Sequence, residues 1–514
     1  MRISTYEIIL PLIGKGDKTI EGKSLLCNGL YSALDVVDAE TAEKLEKGDI
    51  SDIPFALRER LTVRGHITCK DETGELNDAR LLGRVWSKLV GHAGIGPVIL
   101  PTYDCNFRCP YCFERHRLCR GQEWLDLQMK PEMVEAVFAA LEKQRKMGRK
   151  IDGVTLYGGE PFMKENKETV RYICTHAKEM GLGLSGITNG YDLDGYIDLL
   201  EEFGFKKLQV TVDGVGKLND RRRLHRDGMP TYDRILQNVA LVLDHGVDVS
   251  LRVNVNGDNI GGIKALMDDL AARGLTESTG NEQKGSFSYY FKAVSEDLDS
   301  PTRVTEKQVM DEILAAGIQP VDAIEKQSQY SMIKTGLDAA MKKEHYPAFS
   351  TAFCGAEQGM MCIAPDGLLY PCWDLVAKEE DAVGFTDMET GRFFFNFAKA
   401  KWRTRTSDLM DACQTCPYIL ICRGGCAPEA KRMHGSYFRE SCGECREIFA
   451  FVASRIVGQK WEETKEDELS VSLAGPISRL TEQERNILMT TTNQQAILDI
   501  VKEAGLFISS AEKK

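Results

Sequence analysis

From Gly96 onward, short apolar runs alternate with longer stretches in which apolar residues recur every three or four positions. The short runs are Pro97–Pro101, Gly153–Tyr157, Gly183–Thr188, Lys207–Val212, Asp248–Asn254 and Ser286–Lys292. Their length suits strands, and the longer period suits helices. Helices are therefore predicted near Pro131–Met147, Lys164–Met180, Leu193–Phe203, Tyr232–His245 and Ile260–Arg273. Repeated strand–helix units build a parallel sheet with helices outside, closed wholly or partly into a barrel. The expected class is α/β, and chemistry in such a barrel belongs at the carboxyl ends of the strands.

The flanks have a different rhythm. Residues 1–92 read as a separate small domain, with strands at Tyr6–Leu12, Ser24–Cys27 and Leu34–Val37 and helices at Ala39–Lys47 and Pro54–Leu61. A strand His66–Cys69 and an amphipathic helix Asn77–His92 follow, an order that resembles a winged-helix-like unit. The barrel unit spans 96–295, and 296–350 reads as a helical linker. Residues 351–455 carry many cysteines, glycine and proline punctuation and little long periodicity, so bound metal is expected to replace a large core there. In the tail, 456–514, Thr481 and Glu484 form a capping-box pattern ahead of an apolar-periodic run from Ile487 to Leu506, read as a docked helical extension.

Composition narrows the class. A length of 514 residues suggests two to four domains, and 43% hydrophobic with 28% charged residues is ordinary globular composition. A formal net charge of −12 argues against general nucleic-acid binding, which needs a cationic footprint. No run is long and apolar enough to span a membrane. Pro11 interrupts the apolar patch Ile8–Ile13 and no small-residue cleavage site follows, so no signal peptide is expected and the chain reads as cytoplasmic.

The sixteen cysteines change the picture most. In a reducing cytosol, clustered thiols hold metal more often than they form disulfides. Cys27, Cys69, Cys119 and Cys174 are scattered and read as small buried hydrophobes. Cys105, Cys109 and Cys112 stand together just after the first barrel strand. Nine more fall between 354 and 445. Three thiolates leave one iron of a four-iron cluster without a protein ligand, and an open site lets a metal act on a small molecule. The alternative is a zinc knuckle, with His116 four residues on as its fourth ligand.

The segment Cys105-Asn-Phe-Arg-Cys109-Pro-Tyr-Cys112 resembles the cluster motif of radical S-adenosylmethionine (SAM) enzymes. The resemblance implies that the open iron binds SAM, whose reductive cleavage gives a 5′-deoxyadenosyl radical. Gly158-Gly159-Glu160-Pro161, after the second strand, looks like the family's motif for the SAM amino group. Glycines let backbone approach closely, and a carboxylate can receive an ammonium. Thr188 and Asn189 end the third strand and resemble the segment near the ribose and substrate. Gln209, Thr211 and Asp213 lie on or just after the fourth strand, where Asp213-Gly214 also fits an ordinary turn. Arg252 and Asn254, on the fifth, are placed to reach the SAM carboxylate or ribose.

The later cysteines resemble the SPASM-type extension of some radical SAM enzymes, which holds two auxiliary iron–sulfur clusters. By position, Cys354, Cys372 and Cys426 would hold the first, with Cys362 as fourth ligand. Cys413, Cys416 and Cys422 would hold the second, completed by Cys442 or Cys445. A zinc ribbon is the alternative on spacing alone. With SAM, the cofactors implied are three 4Fe-4S clusters, the auxiliary two as electron relays.

Enzymes with this extension mostly modify peptides or proteins. One reading is a maturase for a ribosomally made precursor peptide that forms a thioether or carbon–carbon crosslink. The other is an anaerobic sulfatase maturase making formylglycine. About a hundred residues precede the cluster motif, like the leader-recognition domains that capture a peptide as an added strand. Sulfatase maturases place an aspartate directly after the cysteine matching Cys372, whereas here Trp373 intervenes and Asp374 is the candidate base. Expected partners are a precursor peptide or protein and an electron donor such as flavodoxin or ferredoxin, with no nucleic acid and no membrane. A non-catalytic metal-binding adaptor is a third reading.

Overall fold

The computed structural model describes the chain apart from residues 32, 92–93, 279, 281–283, 328–332, 335–336, 338–350, 465–469, 473–479, 492 and 504–514. In the N-terminal region β1 (Glu7–Ile13), β2 (Thr19–Asn28) and β3 (Ala33–Asp38) form an antiparallel meander. Successive strand residues point to opposite faces. Leu26 and Val37 accordingly pack under α1 (Ala39–Lys47) and α2 (Phe55–Arg64), whereas Leu25, Cys27 and Val36 join the large core on the other face. The next helix, α3, runs Glu72–Gly91 and begins earlier than the apolar period indicates, because Asp71 Oδ1 accepts from Gly74 N (2.7 Å) and starts it. His92 lies outside the described residues.

The six barrel strands are β4 (Gly96–Ile99), β5 (Gly153–Leu156), β6 (Gly183–Thr188), β7 (Lys207–Thr211), β8 (Asp248–Val255) and β9 (Phe287–Ala293). They pair in parallel and in sequence order. Helices α4 (Pro131–Lys146), α5 (Lys167–Glu179), α6 (Ile197–Phe203), α7 (Tyr232–Asp244) and α8 (Ile263–Ala272) connect them. The fold class is the α/β partial barrel that the alternation predicts.

The barrel does not close on itself. On the free side of β4 stands β10 (Met360–Ile363), parallel, with Cys362 opposite Val98. Then β11 (Leu368–Tyr370), β12 (Gly384–Asp387) and β13 (Arg392–Phe395) continue the same ten-stranded sheet antiparallel. The cysteine-rich region is thus grafted onto the barrel sheet, a continuity its punctuated sequence does not show.

Beyond a short helix, α9 (Phe397–Arg403), the long α10 (Cys445–Thr464) lies along β1. It lies so close at Gly458 that a Cβ there would stand 2.3 Å from the Ile13 carbonyl oxygen. In the tail, β14 (Ser470–Ser472) pairs antiparallel with β3, a strand the sequence reading did not anticipate. The predicted helical run Ile487–Leu506 forms two helices, α11 (Glu482–Thr490) and α12 (Gln494–Glu503). The capping box of Thr481 and Glu484 is present, and extended backbone at Thr491 separates the helices. Asn493 Oδ1 then accepts from Gln495 N (3.0 Å) to start the second. Leu506 and much of the 296–350 linker lie outside the described residues, although Glu306–Ala315 is helical as expected. Among the described residues no helix is long and apolar enough to cross a membrane.

Candidate active site

One cavity of about 490 Å³ opens at the carboxyl ends of the barrel strands. Its wall includes Cys105, Cys109 and Cys112, and with them Gly159, Glu160, Thr188, Asn189, Gln209, Thr211, Arg252 and Asn254. Cys372, Trp373, Asp374 and Cys426 of the cysteine-rich region complete it. Residues read from separate motifs therefore share one chamber. Gly158, Pro161 and Asp213 do not line it.

The loop after β4 is held by buried polar contacts. Arg117 pairs with Glu114 (3.1 Å) and donates to the Tyr103 carbonyl oxygen (2.5 Å). The Tyr111 hydroxyl donates to Asp213, which also accepts from Asn254 N (3.0 Å). Asp213, 1% exposed, thus ties the cysteine loop to β8, a structural task. Burial pushes all three thiols up, Cys109 to about 12, so bare thiolates here are costly and a cationic metal core would offset that cost. His116 turns its two ring nitrogens to the carbonyl oxygens of Phe113 and Val376, both at 3.1 Å, so it is not a fourth ligand. The donor set fits a cluster with one open iron.

The turn after β5 is pressed against that loop. Gly159 has φ +54° and a Cβ there would stand 1.9 Å from the Asp104 carbonyl oxygen, so only glycine fits. The Glu160 amide donates to the same oxygen (2.8 Å). The Glu160 carboxylate, 2% exposed, accepts from the Thr188 hydroxyl (2.6 Å) and from the amides of Asn189 (2.5 Å) and Phe162 (3.0 Å). Burial raises its pKa to about 7 against those three donors. Asn189 Nδ2 donates to Asn106 Oδ1 (2.6 Å), joining the third strand to the cysteine loop. On the far wall Tyr290 donates to Gln209 Oε1 (2.7 Å) and Arg252 Nε to Asn254 Oδ1 (2.8 Å).

Sequence reasoning missed Arg223. It lines the cavity, is 7% exposed, donates to the Tyr111 hydroxyl (3.0 Å) and has a buried Nε with no hydrogen-bond partner among the described residues. The triplet Arg221-Arg222-Arg223 reads as a solvated charge run and gave no signal. Asp374 faces the cavity despite the intervening Trp373, because Trp373–Leu375 forms a 3-10 turn. Its carboxylate stands 4.0 Å from both Lys378 Nζ and Arg432 Nη1.

The later cysteines fall into two groups. Burial pushes Cys372 up, and the charges of Cys354 and Cys362 add to it, while Cys426 acts likewise on Cys354. In the second group Cys413, raised to about 12 mainly by burial, feels Cys422, Cys416 and Cys442, and the neighbouring Cys422 thiol pushes Cys445 up. Among the described residues no three His, Cys, Asp or Glu side chains converge tightly enough to enclose a single metal ion. Thiolates on separate irons of a cluster need no such convergence. Of the isolated cysteines, Cys27 and Cys174 are buried as expected, Cys69 is exposed, and the side chain of Cys119 lies outside the described residues.

A partial parallel barrel with a three-cysteine loop and a Gly-Gly-Glu-Pro turn at one rim defines the radical SAM class. Residues 99–270 match the Radical SAM superfamily model, and this part of the chain is a radical SAM domain. Membership implies SAM and a 4Fe-4S cluster. Among curated proteins the chain is similar to an Fe-coproporphyrin III synthase of Methanosarcina barkeri, 27% identical over 208 residues, covering 38% of this chain and 48% of that one. It is also similar to a serine-type anaerobic sulfatase-maturating enzyme of Klebsiella aerogenes, 23% identical over 348 residues, covering 65% of this chain and 81% of that one. The chain spans about half the length of several curated relatives it matches, 48% and 52% for two of them. A solved structure described as native anSMEcpe with bound AdoMet shares the fold, with a TM-score of 0.54 at 15% identity, covering 72% of this chain and 100% of that one.

Proposed function

We propose that the chain is a radical SAM maturase that forms a thioether or carbon–carbon crosslink in a ribosomally made precursor peptide. The observation that carries this reading is the shared chamber, in which the three-cysteine loop faces Cys372, Trp373, Asp374 and Cys426. Cys105, Cys109 and Cys112 would hold the SAM cluster. SAM bound there supplies a 5′-deoxyadenosyl radical that abstracts a hydrogen atom from the substrate. Glu160, backed by Gly158, Gly159 and Pro161, would receive the SAM ammonium, and its three hydrogen-bond donors hold it oriented. Arg223 and Arg252 offer donors to a carboxylate, and Thr188, Asn189, Gln209 and Asn254 offer partners to hydroxyls. Asp374, between two cations, is placed to accept a proton at its carboxylate oxygen.

Cys354, Cys362, Cys372 and Cys426 would hold one auxiliary cluster, and Cys413, Cys416, Cys422 with Cys442 or Cys445 a second, making three in all. Burial and all-thiolate ligation suit electron relays. By this reading residues 1–92 receive the peptide leader, 96–295 perform the radical chemistry, 351–455 carry the relays, and 456–514 brace the N-terminal sheet. The solved anSMEcpe structure with AdoMet and a Cp18Cys peptide, TM-score 0.51, supports a peptide substrate for this fold. An electron donor such as flavodoxin or ferredoxin, in an anaerobic cytoplasm, completes the proposal.

Reconstituted enzyme, SAM and reductant are incubated with a short cysteine-containing peptide encoded beside this gene. A product lighter by two hydrogens is the expected result. The similarity to a sulfatase-maturating enzyme over 81% of its length favours formylglycine formation as a second reading. Oxidation of a sulfatase-derived peptide, with the precursor left unchanged, would establish that reading instead.

A further inference from the structure

Between Arg392 and Arg405 the chain carries five cationic and five aromatic side chains and no carboxylate, although its formal net charge is −12. Packing explains a few of these. Arg405 and Trp402 are buried, and Phe393 is 8% exposed. The others surround the edge strand β13 of the ten-stranded sheet, with Arg392, Phe394 and Phe385 on one face and Phe395 and Lys399 on the other. Phe394, Phe395 and Phe397 are 46%, 43% and 84% exposed. Phe385, 49% exposed, stands opposite Phe394 across the β12–β13 pair with the rings stacked 5.6 Å apart.

Arg392, Lys401 and Arg403 are exposed and Lys399 is half-buried. None of the four has an ion-paired carboxylate among the described residues. Burial, then the cationic neighbours Arg403 and Arg149, pull the Lys399 pKa down, and the one anionic group acting on it is Cys362. A patch of exposed rings rimmed by uncompensated cations is unusual on an acidic protein, and aromatic and arginine side chains are enriched at interfaces. Cys362, one of the first group of four thiols, stands on β10 of the same sheet, with β11 and β12 between it and β13, and its charge acts on Lys399.

We propose that this surface docks an acidic one-electron carrier protein of the flavodoxin or ferredoxin kind. It thereby delivers an electron to the metal group held by Cys354, Cys362, Cys372 and Cys426. This rests on the iron–sulfur reading above. In the transfer the carrier loses one electron, the metal group gains one, and no bond forms or breaks. The cations steer the partner, the rings supply the dry contact, and the sheet leads inward from β13 through β12 and β11 to Cys362 on β10. A carboxylate-rich partner complements four cations that have no ion-paired carboxylate among the described residues, whereas most of the remaining acidic surface would repel it.

The test uses the full iron-loaded chain and purified flavodoxin. Binding of oxidised flavodoxin is measured by calorimetry in about 50 mM and about 300 mM salt, a range over which screening weakens exposed charge pairs. Reduction of the iron–sulfur absorbance is followed by stopped flow, with flavodoxin hydroquinone and, separately, with dithionite. The charge-inverted R392E/R403E variant is expected to bind flavodoxin about tenfold more weakly at low salt. Its reduction by the hydroquinone should slow in proportion while dithionite reduction and iron content stay unchanged. The F394S/F397S variant, altered at exposed positions, should weaken binding without that change in salt dependence. Equal flavodoxin affinity and reduction rate in wild type and both variants would overturn the proposal. So would a wild-type dimer that both variants dissociate, or a nucleic-acid complex that they abolish. Wild-type protein that loads no iron but still binds flavodoxin through these residues would remove the iron–sulfur reading and leave the surface.

Discussion

Arg405 is the strongest test of how the cysteine-rich region is held together. Its side chain is 0% exposed and its Nη1 stands 2.8 Å from Glu357 Oε1, itself 1% exposed. The same guanidinium donates to the carbonyl oxygens of Gly425 (2.8 Å), Tyr437 (2.6 Å) and Arg439 (3.0 Å). Glu357 in turn accepts from the Cys354 amide (2.8 Å). One cation thus links the turns bearing Cys354, Cys422 and Cys426 to the chain leading to Cys442. Replacing Arg405 by Ala leaves a buried carboxylate unpaired, a change that costs about 3–5 kcal/mol. Each orphaned carbonyl adds about 1 kcal/mol or more where water cannot reach it. A loss of at least about 4 kcal/mol is expected, a large part of the roughly 5–15 kcal/mol that stabilises a typical domain. Denaturant unfolding of the anaerobically purified protein, with iron counted on the same samples, measures this. Arg405→Lys should fall between the two, since an ammonium keeps the charge but lacks the planar fork. The double change R405M/E357M should cost less than R405A, because no buried charge is stranded. An R405A protein that keeps all its iron and unfolds within about 1 kcal/mol of wild type would refute the reasoning.

Further outcomes follow from the same geometry. Changing Cys105, Cys109 and Cys112 together to Ala should abolish SAM cleavage, assayed as deoxyadenosine, while the remaining iron stays bound. Gly159→Ala should abolish SAM binding in equilibrium dialysis and lower the melting temperature, because its Cβ meets the Asp104 carbonyl oxygen at 1.9 Å. His66, 0% exposed, sits between Glu7 (2.9 Å) and Asp35 (2.7 Å). Burial pulls its pKa down, but the Glu7 charge and the hydrogen bonds it donates to both carboxylates outweigh this and hold it at about 9, above its ordinary 6.5. Its stabilisation is therefore full below about pH 6.5 and fades as pH rises through about 9, by about 3 kcal/mol. His66→Gln should be less stable at neutral pH and should flatten that dependence, read by denaturant melts at pH 6 and pH 9.5. Ending the chain at Thr464 removes β14 and the Arg485–Asp78 pair (2.9 Å), so amide exchange across Ala33–Asp38 should accelerate.

What the sequence made legible was whatever a local pattern determines. The alternation of short apolar runs with helical periods located all six barrel strands, since each βα unit buries its own apolar faces. The spacing of Cys105, Cys109 and Cys112 located the chamber, and Gly158-Gly159-Glu160 its opposing turn, because those residues act within one loop. Arg223 was hidden for the opposite reason. Its burial is compensated by Tyr111, which is 112 positions away in sequence, so nothing near the arginine triplet marks it. The strand Ser470–Ser472 was hidden because three residues carry no period, and its pairing is decided by the open edge of β3.

The ninth later cysteine shows where spacing and geometry meet. Cys442 and Cys445 are close enough in sequence to serve the same group, and Cys422 and Cys416 act on both. Their surroundings differ, however. Cys442 is exposed, whereas Cys445 is half-buried as the first residue of α10, and the neighbouring Cys422 thiol pushes it up. The same helix, at Gly458, is in near contact with the Ile13 backbone and closes the β1 edge of the N-terminal sheet. The second thiol group and the proposed leader-binding sheet are therefore joined by one helix of 20 residues.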